Sequence, residues 1–486
     1  MADENRDHPE QKERSEKKVR EDALSEKGEF GGASADEEEE FSVTDDEIDD
    51  IINLLDEGYV DALHKIADEL SAADMADVIV KLRPDLRYQL IDVIEDHLDP
   101  EVYAYLPTDI RNDFLSTLSP KKIAAVITSL DSDDALNLIS EFDDEKQQAV
   151  LKHLSRKMRL AVEEGLSFPE RSAGRLMQRE TVAIPEYWTI GKTIDYIRAM
   201  GPAMPDRFYD IYVINNDHHV LGAAPLDRVL RSPRATRIQD VMDDAIRTIH
   251  FETDQEEVAF LFRRADLISA PVIDDSGRLI GVITIDDIVD VIDQEAQEDI
   301  LKLAGIEEGD IHRSTLTTAR SRFSWLAVNL LTAILASIVI GFFEATLEQI
   351  VALAVLMPIV ASMGGNAGTQ AMTVAIRALA TKELTSSNAM RVVFKELWVG
   401  CLNGIAFAIL IGVIAAIWFA SPILGAVIAA AMVVNLMVAG LSGILIPLVL
   451  HRMDIDPAPS AGVFLTTVTD VVGFFAFLGL ATIYLI

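Results

Sequence analysis

One carboxylate stands alone in an apolar stretch near the C-terminus: Asp470, within VFLTTVTDVVGFFAF (463–477). An ionised side chain inside a bilayer costs at least about 2.5–3.5 kcal/mol on insertion scales, so such a group faces a watery path or a partner. Thr466 lies four residues before it and shares its helix face, and Thr467 and Thr469 crowd the same turn. Gly473, nearly one turn on, leaves room for a hydrated ion or a second helix. Those oxygens could hold a hydrated cation, and with no His, Cys or Met nearby in sequence the set favours hard ions. The opposing reading is a protonated packing aspartate whose threonines bond back to helix carbonyls. A second polar patch, MPIVASMGGNAGTQAM (357–372), combines Pro358, Gly364, Gly365 and Gly368, which loosen or bend a helix, with the oxygens of Asn366, Thr369 and Gln370. Alone it is as readily a small-residue packing face; beside an in-membrane aspartate it reads as an oxygen-rich pore wall. Asn329, Asn403 and Asn435 read instead as hydrogen-bond links between helices.

Apolar helices must carry these groups. Five stretches qualify, 323–345, 350–373, 396–419, 422–450 and 461–486, each long enough to cross a hydrocarbon core of about 30 Å at about 1.5 Å per residue. Arg320 and Arg322 precede the first, Arg377, Lys382, Arg391 and Lys395 lie between the second and third, and Arg452 follows the fourth, while the other connections lack Lys and Arg. The alternation predicts a multi-pass protein of the cell (plasma or inner) membrane with its N-terminus cytoplasmic and its C-terminus outside.

The 486 residues carry 42 basic and 79 acidic side chains, a net charge of −37. From Arg320 to Ile486 seven acidic and seven basic residues cancel, so the whole excess lies in residues 1–319. A field of that sign repels phosphates and excludes nucleic acid as a partner. Cys401 alone permits neither an intrachain disulfide nor a cysteine metal cluster. The N-terminus has no apolar core of a secretory signal, so the acidic front is expected to stay in the cytosol. No phosphate-binding loop, H-E-x-x-H or G-x-S-x-G motif occurs, and no enzyme is expected.

The front divides by pattern. Residues 1–43 are charged and nearly free of large apolar side chains, which predicts a disordered acidic tail. Residues 44–170 repeat a large apolar residue every twelve positions (Leu106, Leu118, Leu130, Phe142, Leu154, and earlier Leu70 and Leu82), each followed by a helix-start signal. One short helix and a turn per unit predicts a helical solenoid, because such a unit buries no face alone. In residues 171–295, DIYVINNDHHVLGAAPLDRVL (210–230) aligns without gaps on SAPVIDDSGRLIGVITIDDIV (269–289), each copy reading strand, turn, strand, helix after a Met-bearing entry. This resembles a tandem α/β CBS pair, with copies at 171–235 and 236–295. Residues 290–319 read as a long charged connecting helix, whose own segment is 296–319, ahead of a five-helix membrane domain at 320–486.

In that order the segments resemble the MgtE family of magnesium channels over roughly residues 45–486. The motifs that carry the resemblance are GGNAGTQ (364–370), AIRALATKEL (375–384), TTVTDVVG (466–473) and DQEAQEDILKLAG (293–305). The resemblance implies a homodimer with its pore between two membrane halves, Asp470 of each subunit forming the filter and Thr466 adding its backbone carbonyl. Gly473 and the Gly364, Gly365, Asn366, Gly368 and Gln370 patch would then line or shape the pore. It also implies that cytosolic Mg²⁺ bridges carboxylates, whose like charges are otherwise expected to push the domains apart, and so closes the pore. The matching positions are Glu101 and Asp133 in the helical part, Asp254, Asp266, Asp287 and Asp290 in the second CBS copy, and Glu295, Glu298 and Asp299 on the connecting helix. Mg²⁺ is thus both the transported and the regulatory ion.

Two positions depart from the family pattern. Arg228 stands where the first CBS copy would carry a ribose-binding Asp, kept as Asp287 in the second, with Asp227 displaced by one. This argues against ATP at the first copy. Ala461, Gly462 and Val463 stand where a polar or Pro residue is expected at the entry to the last span, a change assigned to the outer mouth. Two other functions remain open on the residues alone: a pore for Co²⁺, Ni²⁺ or Mn²⁺, and a membrane-anchored CBS sensor through which nothing passes.

Overall fold

In a computed structural model of the chain, the described residues are 43–95, 97–201, 204–205, 207–306, 315–385, 387–453 and 455–486. The tail expected over 1–43 lies outside them except for Val43, which is buried and accepts a bond from Lys81 Nζ at 2.7 Å. The residues fall into two compact units, one ending at Leu106 and the other beginning at Pro107.

The twelve-residue step sets the helix starts in both units. In the first, helices begin at Ala72 and Pro84; in the second, at Thr108, Pro120, Ser132, Asp144 and Arg156. Ser71, Ser119, Asp143 and Ser155 accept from the third helical amide, and Pro84 and Pro120 occupy the first turn, where no amide partner is lost. Leu82, Leu106, Leu130 and Leu154 are buried. The division between the two compact units falls at Leu106, inside the run read as one domain over 44–170.

Two three-stranded sheets follow, Ala183–Pro185 with Asp210–Ile214 and Val220–Pro225, then Ile249–His250 with Ser269–Ile273 and Leu279–Thr284. In each, the first pair is parallel, the second antiparallel, and the register slips at the same aligned position. The leading segments are exchanged. Ala173 and Met177 belong to the core of the second sheet, and Gln178 bridges Val282; Met242 packs on the first, where Asp243 bridges Ala223. A boundary at residue 235 therefore cuts across the packing, since each copy is completed by the other's lead-in.

The connecting helix is Ile285–Leu303, continuous through residue 295 and shorter than the helix expected over 290–319. Its end has a physical cause. Gly305 adopts φ +67, its amide bonds the Lys302 carbonyl, and the Ile306 amide bonds the Leu301 carbonyl, which reverses the chain and satisfies the last carbonyls. A β-carbon on Gly305 would also overlap the Trp325 indole. Gly305→Ala is expected to cost about 1–2 kcal/mol from the backbone alone, read as a lowered melting temperature of the detergent-solubilised chain.

Five helices are long and apolar enough to cross a membrane: Thr315–Gly341, Ala352–Ala380, Ala389–Trp418, Pro422–Arg452 and Pro457–Leu485. Most run past the apolar windows, because a helix continues into water until a cap or breaker stops it. The fifth is capped by Asp456, whose side chain accepts from the Ala458 amide, with Pro457 at its first position. The polar residue and Pro missing at 461–463 therefore stand at 456–457. The fourth span packs on the second, third and fifth, and the first packs on the fifth.

Candidate functional site

The second span is one uninterrupted helix through Pro358 and its glycines. Gly364 and Gly368 are buried, while Asn366, Thr369 and Gln370 are exposed. The glycines serve close packing rather than a bend: a β-carbon on Gly368 would lie 2.8 Å from Leu465 of the fifth span, and one on Gly443 of the fourth would lie 2.6 Å from that of Ala371. Gly365 faces open space. The patch thus has two sides, one of small residues against neighbours and one of open oxygens.

On the fifth span Thr466 is exposed and Asp470 partly so. Among the described residues no side chain bonds or ion-pairs with Asp470. The threonines bond back along the helix, Thr466 to Gly462 O at 3.0 Å, Thr467 to Val463 O at 2.7 Å and Thr469 to Leu465 O and Thr466 O, both at 3.1 Å. The Thr466 carbonyl is thereby already engaged by a hydroxyl. Gly473 is buried against Asn435 of the fourth span, so the room it leaves serves a second helix and not an ion. Of the three asparagines read as links, Asn435 makes an interhelical bond, to Val360 O at 2.7 Å, whereas Asn403 is exposed.

The cytosolic acids separate into groups. Asp133, on the helix Ser132–Ser140, is buried and hydrogen-bonded to Asp287 in the first turn of the connecting helix. Burial first, then the Asp287 and Asp134 charges, push the Asp133 carboxyl far above the usual range. Burial and the Asp286 charge push Asp287 up to about 7, against the opposing bonds from Asp133 and Thr284. Two carboxyls this close cannot both ionise cheaply. Asp133 Oδ1 is buried with no bond partner, an orphan acceptor that a cation would satisfy.

A second group gathers where the second CBS copy meets the connecting helix. Glu256 is raised by burial and by the charges of Glu295, Asp299 and Asp254; Asp299 is raised by burial and by Asp456. Asp290 is raised by burial and by Asp286 and Asp293. Glu298 goes the other way. Arg171, held in the left-handed region, bonds both Glu298 and Glu295, the latter at 2.8 Å, and Lys302 pairs with Glu298 at 2.9 Å and with Asp456 at 3.0 Å. Bonding from Arg171, then Lys302, holds the Glu298 carboxyl below its usual range. The repulsion expected at this part of the connecting helix is thus replaced by a chain of ion pairs ending on the cap of the fifth span. That end of the fifth span is the mouth nearest the connecting helix, which corrects its assignment to the outer mouth.

Asp254 and Asp266 sit at opposite ends of one helix, Gln255–Ala265. Asp266 lines a cleft of about 910 Å³ between the two CBS sheets, together with Asp210, Asp227, Asp243 and Asp244. Arg228 pairs with Asp243 at 2.7 Å. Glu101 belongs to the first compact unit, where its amide bonds Asp99 Oδ1 at 2.9 Å. Among the described residues no three His, Cys, Asp or Glu side chains stand close enough to hold one metal ion.

Sequence reasoning missed Glu256, Arg171, Lys302 and Asp456. Only the i, i+4 spacing of Glu298 and Lys302 could have shown a pair; Arg171 meets Glu298 across 127 residues and Lys302 meets Asp456 across 154.

A family model described as a divalent cation transporter, MgtE, matches residues 357–480, which include both polar patches of the spans. The magnesium transporter MgtE of Bacillus subtilis is 31% identical over 443 residues, 90% of this chain and 96% of that protein. The chain belongs to the MgtE family. Models for the MgtE intracellular N domain and for a CBS domain match residues 70–171 and 238–294. A second MgtE magnesium transporter, from Thermus thermophilus, is 32% identical over 441 residues, 89% of this chain and 97% of that one. A crystal structure of the cytosolic domain of the Mg²⁺ channel MgtE in complex with ATP is 28% identical, with a TM-score of 0.47 over 50% of this chain and 99% of that one. With five apolar helices and this membership, the chain is a multi-pass membrane transport protein and not an enzyme.

Proposed function

We propose that two copies of this chain form a Mg²⁺ pore that cytosolic Mg²⁺ closes. The observation that carries the reading is Asp470, a partly exposed carboxylate with no described partner in the middle of a membrane span. Its relatives are named magnesium transporters, and the matching family model extends to residue 480, within the fifth span. Mg²⁺ sheds water reluctantly, so a carboxylate from each of two copies beside a symmetry axis suits an ion that keeps its hydration shell. The open oxygens of Asn366 and Gln370 on the neighbouring span are the matching second wall. The Lys and Arg distribution supports a cytosolic N-terminus and an outer C-terminus.

For closure, the acids at Asp133 and Asp287 and those at Glu256, Glu295 and Asp299 favour separation when all are charged. Bound Mg²⁺ supplies the positive charge that lets these surfaces pack. The connecting helix, through Lys302 and Asp456, passes its position to the start of the span that carries Asp470. The test is uptake of Mg²⁺, Mn²⁺, Co²⁺ and Ni²⁺ by liposomes holding the purified chain, read with internal dyes. Uptake led by Mg²⁺ supports the reading, uptake led by a transition metal replaces the ion, and none of any ion puts the anchored-sensor reading in its place.

A further inference from the structure

Asn435 is fully buried at the centre of the fourth span. Its Nδ2 donates to Val360 O on the second span at 2.7 Å, while its Oδ1 is buried with no partner. Two glycines from two other helices make its place. A β-carbon on Gly364 would overlap Nδ2, and one on Gly473 would lie 2.9 Å from Nδ2 and 3.0 Å from Oδ1. Three spans therefore meet on one carboxamide.

This arrangement is not the one stability alone would select. A buried acceptor left unpaired costs about 1–3 kcal/mol, and each mid-helix glycine costs roughly 0.5–1 kcal/mol against alanine. An alanine at 435 facing two alanines would avoid both costs. What the carboxamide fixes is position: Gly473 is three residues beyond Asp470, and Gly364 is two residues before Asn366. Resting on the pore reading above, we infer that Asn435 is a positioning residue, setting the height and rotation of the Asp470 turn against the oxygen-bearing face of the second span. Gly364 and Gly473 exist as glycines to admit its head.

The test is a suppression experiment on Mg²⁺ uptake into liposomes, with the half-saturating Mg²⁺ concentration and the Mg²⁺/Co²⁺ ratio as further readouts. Gly473→Ala is expected to lower uptake at least tenfold, and adding Asn435→Ala is expected to restore it to within a few-fold of Asn435→Ala alone. Asn435→Ala and Asn435→Ser, both smaller than the native side chain, are each expected to raise the half-saturating concentration and reduce the Mg²⁺/Co²⁺ ratio several-fold, with the fold retained. A double variant no better than Gly473→Ala, or Asn435 variants with unchanged affinity and ratio, overturns the inference. Asp470→Asn run alongside separates the two levels: if it takes up Mg²⁺ like the wild type, the pore reading itself falls.

Discussion

Replacing Asp470 by asparagine is expected to lower Mg²⁺ uptake at least a hundredfold. The side chains are nearly equal in size, so helix and packing survive while the charge is lost. A unit charge 4 Å from a second one is worth about 4 kcal/mol at an effective dielectric of 20, and Mg²⁺ carries two charges. About a third of that attraction, about 2.8 kcal/mol, is a hundredfold. Thr466→Ala should change uptake by no more than a few-fold, because it removes a hydroxyl already bonded to Gly462 O and leaves the carbonyl in place. Both comparisons use initial rates in liposomes with internal Mg²⁺ held low. Asp470→Asn at the wild-type rate would mean that the carboxylate only packs.

The second large effect is expected at Asp287. Asp287→Asn turns a strained carboxyl pair into an amide–carboxylate hydrogen bond, so the helix Ser132–Ser140 packs on the connecting helix without added cation. Uptake at low internal Mg²⁺ should fall about tenfold, and its dependence on internal Mg²⁺ should flatten. In chelator, the variant should also resist limited proteolysis longer than the wild type. Faster uptake than the wild type at high internal Mg²⁺ would show that Asp287 acts as a ligand whose loss opens the pore, with repulsion playing little part.

Some of this was legible in the residues and some was not, for physical reasons. A carboxylate among apolar side chains is conspicuous, so Asp470 needed no structure. The short helices were legible because Ser, Asp and Pro recur at fixed offsets where orphan amides demand them. The end of the connecting helix lies inside the expected span of 290–319, where Gly305 shortly after Lys302 is itself a stop signal. The exchanged CBS lead-ins could not be read, since two similar segments do not say which of two similar sheets each completes. Glycines in the spans were visible as types, but what stands opposite them was not: Gly473 promised space, and the fourth span fills it with Asn435. Likewise the acids were counted as one repelling set, while Arg171 and Lys302 had already neutralised Glu298.

The most direct measurement is the rate of Mg²⁺ entry through the wild-type protein at fixed external Mg²⁺ and fixed membrane potential, as Mg²⁺ on the cytosolic side is stepped upward. The account predicts entry at low cytosolic Mg²⁺ that shuts off steeply, beyond the loss of driving force, as the acids fill. No entry at any cytosolic Mg²⁺, or entry that tracks the driving force alone, would contradict it.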